Sequence, residues 1–309
     1  MTTTSPQHKI VCFGEVLWDV LPAGAEPGGA PMNVAYHLKK LGNDPAVITR
    51  IGTDDYGTRL REIFASSGVS TEYFQTDPEH STGLVHATPN EFNEVVYDIV
   101  QPVAWDFISW EDRFTGLLAG AELLICGSLA SRNQTSRDTL LQLLDSPPKK
   151  VLDINLRPPH FHRTWIEFLL GKADILKLNI AELELITGWF SAYTTPQERI
   201  KSLQDKFKVE TIVVTMGGDG ALVAHDGQTW RHPGYAVQVA DTIGSGDSFL
   251  AGFLHNRLAG VPYDQALLFA CGLGSYIASR SGACPEYNVD EVWALINAHP
   301  EQQVEAGTL

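Results

Sequence analysis

The sequence is poor in basic residues. Its 309 residues include 22 Lys and Arg against 37 Asp and Glu, which gives a formal net charge of −15 at pH 7. Such a chain repels the phosphates of nucleic acids and the headgroups of anionic membranes, and no cluster of Lys and Arg offsets that repulsion. We therefore expect no nucleic acid and no membrane among its partners.

Cysteine and long apolar runs are also scarce. The four cysteines, Cys12, Cys126, Cys271 and Cys284, have no metal-ligand spacing and lie among apolar or small residues, which predicts reduced, buried thiols. Residues 1–8 are polar and lack the hydrophobic core of a signal peptide. No segment approaches the roughly 18 apolar residues of a membrane span. We expect a cytoplasmic protein.

Two common nucleotide-binding motifs are missing too. The sequence has no Gly-x-x-x-x-Gly-Lys-Ser/Thr, and Phe249 stands where the dinucleotide fingerprint would need a third glycine after Gly244 and Gly246. The missing fingerprint argues against a dehydrogenase. The 44% hydrophobic content nevertheless supplies a large core.

Apolar runs typical of buried strands alternate with segments of helical periodicity along most of the chain. This alternation predicts an α/β fold with a mostly parallel sheet. Between residues 81 and 102 it breaks, because residues 84–87 and 95–100 have the pattern of an antiparallel hairpin around a turn at 89–93. The hairpin is interpreted as a flap or lid, and a structural edge hairpin is the alternative.

Two glycine-rich stretches precede predicted helices. Gly244-Ser245-Gly246 places backbone N–H groups at a helix N-terminus, where they suit a phosphate oxygen. Asp247 follows in the first turn, either as a favourable partner of the helix dipole or as a proton acceptor for an attacking hydroxyl. The second stretch runs through Gly28 and Gly29 to Pro31. The nearby Asp19 and Asn33 are interpreted as capping groups or as ligand contacts.

Polar residues also follow several predicted strands. Asp153, Asn155 and Arg157 come after one, and Asn179 with Glu182 after the next. The carboxyl ends of parallel strands are where ligands bind in such sheets. The Asn179-x-x-Glu182 spacing fits a capping box equally well. His160 and His162 form a His-x-His pair, but without a third histidine or a nearby cysteine the pattern does not favour a metal site.

These motifs together resemble one family. The segment Gly28-Gly29-Ala30-Pro31-Met32-Asn33-Val34-Ala35 resembles its N-terminal signature, and Asp241-Thr242-Ile243-Gly244-Ser245-Gly246-Asp247 its C-terminal one. On these motifs, together with the two polar strand ends and residues 214–217, the chain is identified as a member of the ribokinase, or phosphofructokinase-B-type, family of carbohydrate kinases. The resemblance covers nearly the whole chain.

The resemblance implies a ribokinase-like three-layer α/β/α fold with a mostly parallel central sheet. It also implies one kinase domain over residues 1–309, with a small β lid formed from about residues 15–31 and 81–103. In the family the lid closes over the sugar and often forms a dimer contact. We therefore expect a small-molecule sugar and ATP as partners, and a homodimer through the lid.

The resemblance also implies roles for matching residues. Asp247 would be the catalytic base, and the N–H groups of Gly244, Ser245 and Gly246 would stabilise the transferring phosphoryl group. Alanine is commoner in the family at position 245, but this exchange leaves the backbone N–H unaffected, so we expect no loss of activity. The implied cofactors are ATP and Mg²⁺, with K⁺ as a further cation.

The remaining implied contacts fall into four sets. The nucleotide would be bordered by Lys177, Asn179, Thr215, Gly217 and Gly220. Mg²⁺ would be organised, largely through water, by Asn179 and Glu182. The sugar would be held by Asp19, Gly29 and Asn33, with Asn155 and Arg157 near substrate or phosphate. K⁺ would lie at Asp241, Ile243 and Ala283.

The substrate is less closely defined than the reaction. Residues 14–19 and 101–106 look most like bacterial fructokinases, which phosphorylate fructose at its 6-hydroxyl. Ribose, 2-keto-3-deoxygluconate or another ketose stays open, because a few pocket contacts set specificity. A catalytically silent regulator that binds a sugar or a nucleotide on the same fold is the other alternative.

Overall fold

The structure is a computed structural model that describes residues 9–21, 24–89 and 95–309. The described residues form two compact units, one within residues 9–148 together with 282–284 and the other within residues 149–281 together with 285–309. No helix in the described ranges is long and apolar enough to cross a bilayer.

The first unit alternates strands and helices. Its elements are β1 (Lys9–Phe13), β2 (Leu17–Leu21), β3 (Gly24–Gly28), α1 (Ala30–Lys40), β4 (Asp44–Gly52), α2 (Asp55–Ser66), β5 (Phe74–Asp77), β6 (Gly83–Pro89), β7 (Val95–Ile99), α3 (Arg113–Ala119), β8 (Leu123–Gly127) and α4 (Gln134–Leu144). Strands β8, β1, β4 and β5 pair in that order, all parallel. Apart from Lys9, the β1 residues are buried, as a strand covered on both faces requires.

A separate four-stranded sheet, in the order β3-β2-β6-β7, also belongs to this unit. Strands β6 and β7 are antiparallel, which confirms the predicted hairpin, and β2 joins the sheet parallel to β6. The two segments assigned to the lid thus lie in one sheet. The predicted turn at 89–93 falls largely outside the described residues, and the action of this sheet as a lid stays a prediction.

The second unit continues the alternation. Its elements are β9 (Lys149–Asp153), α5 (Arg163–Leu170), β10 (Ile175–Asn179), α6 (Ile180–Gly188), α7 (Pro196–Phe207), β11 (Thr211–Thr215), β12 (Ala221–His225), β13 (Gln228–His232), α8 (Ser245–Leu258), α9 (Tyr263–Ala278), α10 (Val289–Asn297) and β14 (Glu305–Thr308). Strands β9, β10 and β11 are parallel, whereas β12, β13 and β14 pair antiparallel. The predicted α/β class with mostly parallel pairing is confirmed.

Some sequence expectations differ from the structure. The sequence pattern predicts a helix from Trp110 to Leu118, whereas α3 begins at Arg113 and residues 108–110 are not helical. The structure also forms α5, α7, β13 and β14, which the sequence pattern did not predict. Three cysteines are buried as expected, but Cys284 is half-exposed, so the expectation of four buried thiols is wrong.

Candidate active site

The first glycine stretch begins α1. Gly29 precedes the helix with φ 112°, and Pro31 lies in the first turn. A Cβ on Gly29 would collide with the carbonyl oxygen of Glu15, and one on Gly28 would collide with the Asp19 carboxylate. Asp19 therefore lies against the glycine stretch, and Gly29 is required by close backbone packing.

Asn33 and Ala283 lie in the same unit as Asp19. Asn33 is 3% exposed on α1, and its Oδ1 accepts a hydrogen bond from Cys284 Sγ at 3.5 Å. The carbonyl of Ala283 accepts one from His37 Nε2 at 2.9 Å. The turn at residues 282–284 is therefore attached to the helix that carries Asn33.

The second glycine stretch begins α8. Gly244 has left-handed φ of 74°, and the helix starts at Ser245 with Asp247 in its first turn. The first N–H groups of a helix have no acceptor within the helix, and the helix dipole adds partial positive charge there. The Ser245 N–H donates to Thr242 O at 3.3 Å, so this group takes part in the turn. Residues 244–247 are half-exposed, which makes the helix start accessible.

Lys177 lies beside this helix start. A Cβ on Gly246 would be 3.3 Å from Lys177 Nζ. The ammonium donates to Asp153 Oδ2 at 2.7 Å, and both side chains are buried. Burial alone would lower the pKa of Lys177, but Asp153, Asp247 and Glu182 raise it above its usual value. Lys177 is therefore a fixed positive charge between carboxylates.

Asn179 and Glu182 form the capping box of α6. Asn179 Oδ1 accepts from the Glu182 N–H at 2.9 Å, and Glu182 Oε2 accepts from the Asn179 N–H at 2.8 Å. Glu182 Oε1 also accepts from the Leu156 N–H at 2.7 Å. Burial raises the pKa of Glu182, and these backbone donors oppose that shift. The capping interpretation is confirmed, and the Mg²⁺ interpretation stays a prediction.

A cavity of about 560 Å³ lies in the second unit. Such a volume is in the range of small-molecule and cofactor sites. The predicted nucleotide residues Asn179, Thr215, Gly217 and Gly220 line it, and so do Ser245 and Gly246. The structure thus brings four of the five predicted nucleotide residues and the start of α8 to one cavity, whereas Lys177 is not among the residues that line it.

The sequence pattern did not predict part of the cavity wall. Residues 234–237 and Val239 form one side, and the α9 residues Cys271, Gly274, Ser275 and Ala278 form another. The only signal for them was the run of small residues in the predicted α9. Asp153 is one of the polar residues that follow a predicted strand, but the sequence predicts no role for it. In the structure it is the ion-pair partner of Lys177.

The other predicted residues are placed as follows. Asn155 has φ 39°, a strained value for a residue with a side chain, and such strain is common at functional sites. Arg157 is exposed and donates to Leu156 O at 3.1 Å. Asp241 Oδ1 accepts from the Ile243 N–H at 3.0 Å. These two belong to the second unit and Ala283 to the first, so the K⁺ assignment stays a prediction.

Comparison with known proteins shows the family of this chain. Residues 5–288 match the description pfkB family carbohydrate kinase. The chain belongs to this family. Its relatives include a fructokinase from Klebsiella pneumoniae, 31% identical over 287 residues that cover 85% of this chain and 92% of the relative.

Solved structures confirm the ribokinase-like fold. The fructokinase from Xylella fastidiosa with bound ATP superposes with a TM-score of 0.83 at 21% identity, covering 94% of this chain and 99% of that one. The fructokinase from Vibrio cholerae O395, in its fructose, ADP and calcium ion bound form, gives a TM-score of 0.81 at 24% identity, covering 94% and 100%. The pfkB assignment is therefore consistent in sequence and in fold.

Proposed function

We propose that this pfkB family carbohydrate kinase transfers the γ-phosphoryl group of ATP to D-fructose and forms fructose 6-phosphate. The observation that carries the proposal is the start of α8, where Asp247 follows two glycines and Gly246 lines the cavity together with Asn179 and Thr215. Phosphoryl transfer needs this combination of a base, an anion-binding helix start and a nucleotide pocket.

Asp247 acts as the general base in this mechanism. Its carboxylate accepts the proton of the sugar hydroxyl as that oxygen attacks the γ-phosphorus. The base lies in the first turn of α8, so its position is fixed by a helix rather than by a flexible loop. Asp19, Gly29 and Asn33 of the first unit hold the sugar, and Asn155 and Arg157 lie near substrate or phosphate.

The charge of the transferring group is stabilised by the start of α8 and by Lys177. In this proposal the N–H groups at Gly244, Ser245 and Gly246 would face developing negative charge with the helix dipole behind them, although in this structure the Ser245 N–H donates to Thr242 O. Lys177 Nζ lies next to Gly246, and its raised pKa keeps it protonated throughout the neutral range.

The side chains around Lys177 also fit a divalent cation. Asp153, Glu182 and Asp247 share the charge of this one ammonium, which leaves an excess of negative charge. Asp153 Oδ1 is buried and has no hydrogen-bond partner within residues 9–21, 24–89 and 95–309. Among these ranges no group of three or more His, Cys, Asp or Glu side chains could hold a metal by itself. Asn179 and Glu182 would therefore hold Mg²⁺ largely through water, and the ion would neutralise phosphate charge.

Fructose is favoured over other sugars by the relatives. The Klebsiella pneumoniae relative is a fructokinase, and the Vibrio cholerae fructokinase was solved with fructose and ADP. Ribose and 2-keto-3-deoxygluconate are the alternatives. We further propose K⁺ at Asp241, Ile243 and Ala283, and a homodimer formed through the sheet of β3, β2, β6 and β7.

The test is ADP release from the purified protein with ATP and Mg²⁺. Fructose, ribose, glucose, adenosine and 2-keto-3-deoxygluconate are compared, each with and without K⁺, and the product is identified by mass spectrometry and NMR. We expect fructose to give the largest kcat/KM and a product phosphorylated at the 6-hydroxyl. A larger kcat/KM for another sugar would replace fructose as substrate, and absence of ADP release with every acceptor would favour a silent regulator or a substrate outside this set.

A further inference from the structure

The cavity of the second unit has an uncharged lining. None of the described residues that line it is Lys, Arg, His, Asp or Glu. In the proposed function the phosphates lie at the α8 start, where Ser245 and Gly246 line the cavity. The base of the nucleotide is therefore left to the rest of the wall, which has only uncharged groups to distinguish one base from another.

Most polar side chains of this wall are occupied by the protein or lie beside the phosphates. Thr215 Oγ1 donates to a β10 carbonyl at 3.4 Å, and Ser245 Oγ donates to an α9 carbonyl at 3.1 Å. The Tyr235 hydroxyl oxygen is buried, so it does not reach the cavity. Asn179 caps α6, and Thr242 belongs to the turn before α8, where the proposed function places Mg²⁺ and phosphate. These side chains are not available to distinguish bases.

Ser275 provides the remaining hydroxyl. It is half-exposed, whereas residues 269–274 and 276–278 around it on α9 are buried, so α9 opens to the cavity at this residue. Adenine carries an amino donor at the position where guanine carries a carbonyl acceptor. A hydroxyl donates to one and accepts from the other. The Ser275 side chain therefore does not select between the two purines.

The side of the cavity formed by residues 234–237 and Val239 is open to solvent. Residues 233–239 have neither helix nor strand structure, so their main chain offers both donors and acceptors. Ala236 is exposed, and Val239 is 59% exposed. An apolar side chain of this kind contacts the face of a flat base, which is common to all purines. The polar edge of the base stays in contact with water, so a mismatched base leaves no buried group unpaired.

We propose that the cavity accepts purine nucleoside triphosphates as a class, and that GTP serves as a phosphoryl donor as well as ATP. Strong discrimination needs a buried polar group that the wrong ligand leaves unpaired, and the described part of this wall has no side chain of that kind. The inference rests on the proposed function. With GTP the bond between the γ-phosphorus and the β,γ-bridging oxygen breaks, the sugar oxygen bonds to that phosphorus, the hydroxyl proton goes to Asp247, and GDP leaves.

The experiment measures the affinity of the wild type for the β,γ-imido analogues of ATP and GTP by titration calorimetry with Mg²⁺. We expect the two dissociation constants to lie within about tenfold of each other, because no side chain of the wall favours one base. In parallel, formation of fructose 6-phosphate is measured with each triphosphate, and kcat/KM for GTP should lie within about tenfold of that for ATP. A GTP analogue that binds more than about tenfold more weakly than the ATP analogue overturns the inference.

Two variants test which groups contact the base. Val239→Ala removes apolar surface and should weaken both analogues about twofold to fivefold, with their affinity ratio unchanged. Ser275→Ala should leave this ratio within about twofold of the wild type, since a hydroxyl pairs with either purine. A ratio that changes more than about fivefold in Ser275→Ala would mean that the hydroxyl distinguishes the bases, contrary to the inference. Melting temperatures report whether each variant is folded.

Calorimetry also separates this inference from the proposed function, because it does not depend on turnover. Comparable affinities for both analogues without phosphorylation of any sugar contradict the proposed kinase function and support the class of nucleotide inferred here. A wild type that binds neither analogue contradicts both.

Discussion

The starts of α1 and α8 are both glycine-rich, but they use glycine for different reasons. Every residue from Pro31 to Leu38 is buried, and Gly29 is required because a Cβ would meet backbone. At α8, residues 244–247 are half-exposed, and a Cβ on Gly246 would lie 3.3 Å from Lys177 Nζ without meeting backbone. The same sequence feature therefore provides close packing at one helix and access for an anion at the other.

Asp247→Asn is the strongest test of the contrast between the two helix starts, because it changes the chemistry at α8 alone. The amide keeps the size of the side chain but cannot accept the proton of a sugar hydroxyl, so kcat should fall by a factor on the order of 10³. The KM for ATP should change by less than about threefold, because the helix start itself is retained. Steady-state kinetics with fructose and ATP measure both. A kcat within tenfold of the wild type at an unchanged melting temperature would exclude Asp247 as the base.

Gly29→Ala should act on stability instead. Alanine at φ 112° is strained and its Cβ would strike Glu15 O, so we expect a loss of about 3 kcal/mol in the free energy of unfolding, measured in urea. Gly246→Ala is the matched control, since it should change stability by less than about 1 kcal/mol while lowering kcat. Equal loss of stability in the two variants would remove the distinction between the two glycine stretches.

His37, a residue of α1, should make the free energy of unfolding sensitive to acid. Its pKa is lowered from 6.5 to about 4, mainly by burial and further by Lys40, against the effect of its bond to Ala283. Between these values the unfolded chain binds more protons than the folded one, so stability falls as the pH drops through this window, by about 3 kcal/mol in total.

The control for this effect is His37→Gln, which keeps an N–H donor for Ala283 O but does not titrate. Urea unfolding of both proteins at each pH isolates the contribution of the imidazole from that of the carboxylates. The stability advantage of the wild type over the variant should shrink between pH 7 and pH 4. A difference that stays constant across this range would exclude His37 as the titrating group.

Local patterns allowed much of the fold and part of the site to be predicted. The apolar runs that begin at Ile10, Ala46, Leu123 and Ile212 predict strands, and the structure forms β1, β4, β8 and β11 there. The Asn179-x-x-Glu182 spacing predicts a capping box that the structure confirms. The ion pair of Lys177 and Asp153 could not be read from spacing, because it depends on β9 and β10 being neighbours with these two residues in register. The α9 wall of the cavity was missed since small apolar residues look the same in a core and in a pocket.

The half-exposed Cys284 was missed for a related reason. Its sequence neighbours are small, which suggested a buried thiol, but the turn is attached to α1 from residues about 250 positions away, as the 246-residue separation of His37 and Ala283 illustrates. Contacts of such long range are set by tertiary packing and leave no local pattern. Burial of single residues is therefore harder to predict than the elements that carry them.

Ser245→Ala should have the smallest effect. The Ser245 hydroxyl donates to Gly274 O at 3.1 Å, which links α8 to α9 through a contact that alanine would lose. One such hydrogen bond contributes about 1 kcal/mol to stability, and alanine at the first position of a helix recovers part of it through its higher helix propensity. The backbone N–H at position 245 is unchanged, so kcat and the KM for ATP should stay within about twofold of the wild type. Kinetics and urea unfolding check this together. A large fall in kcat without loss of stability would mean that the hydroxyl itself contacts the transferring group, and the α8 start would then depend on a side chain as well as on its glycines.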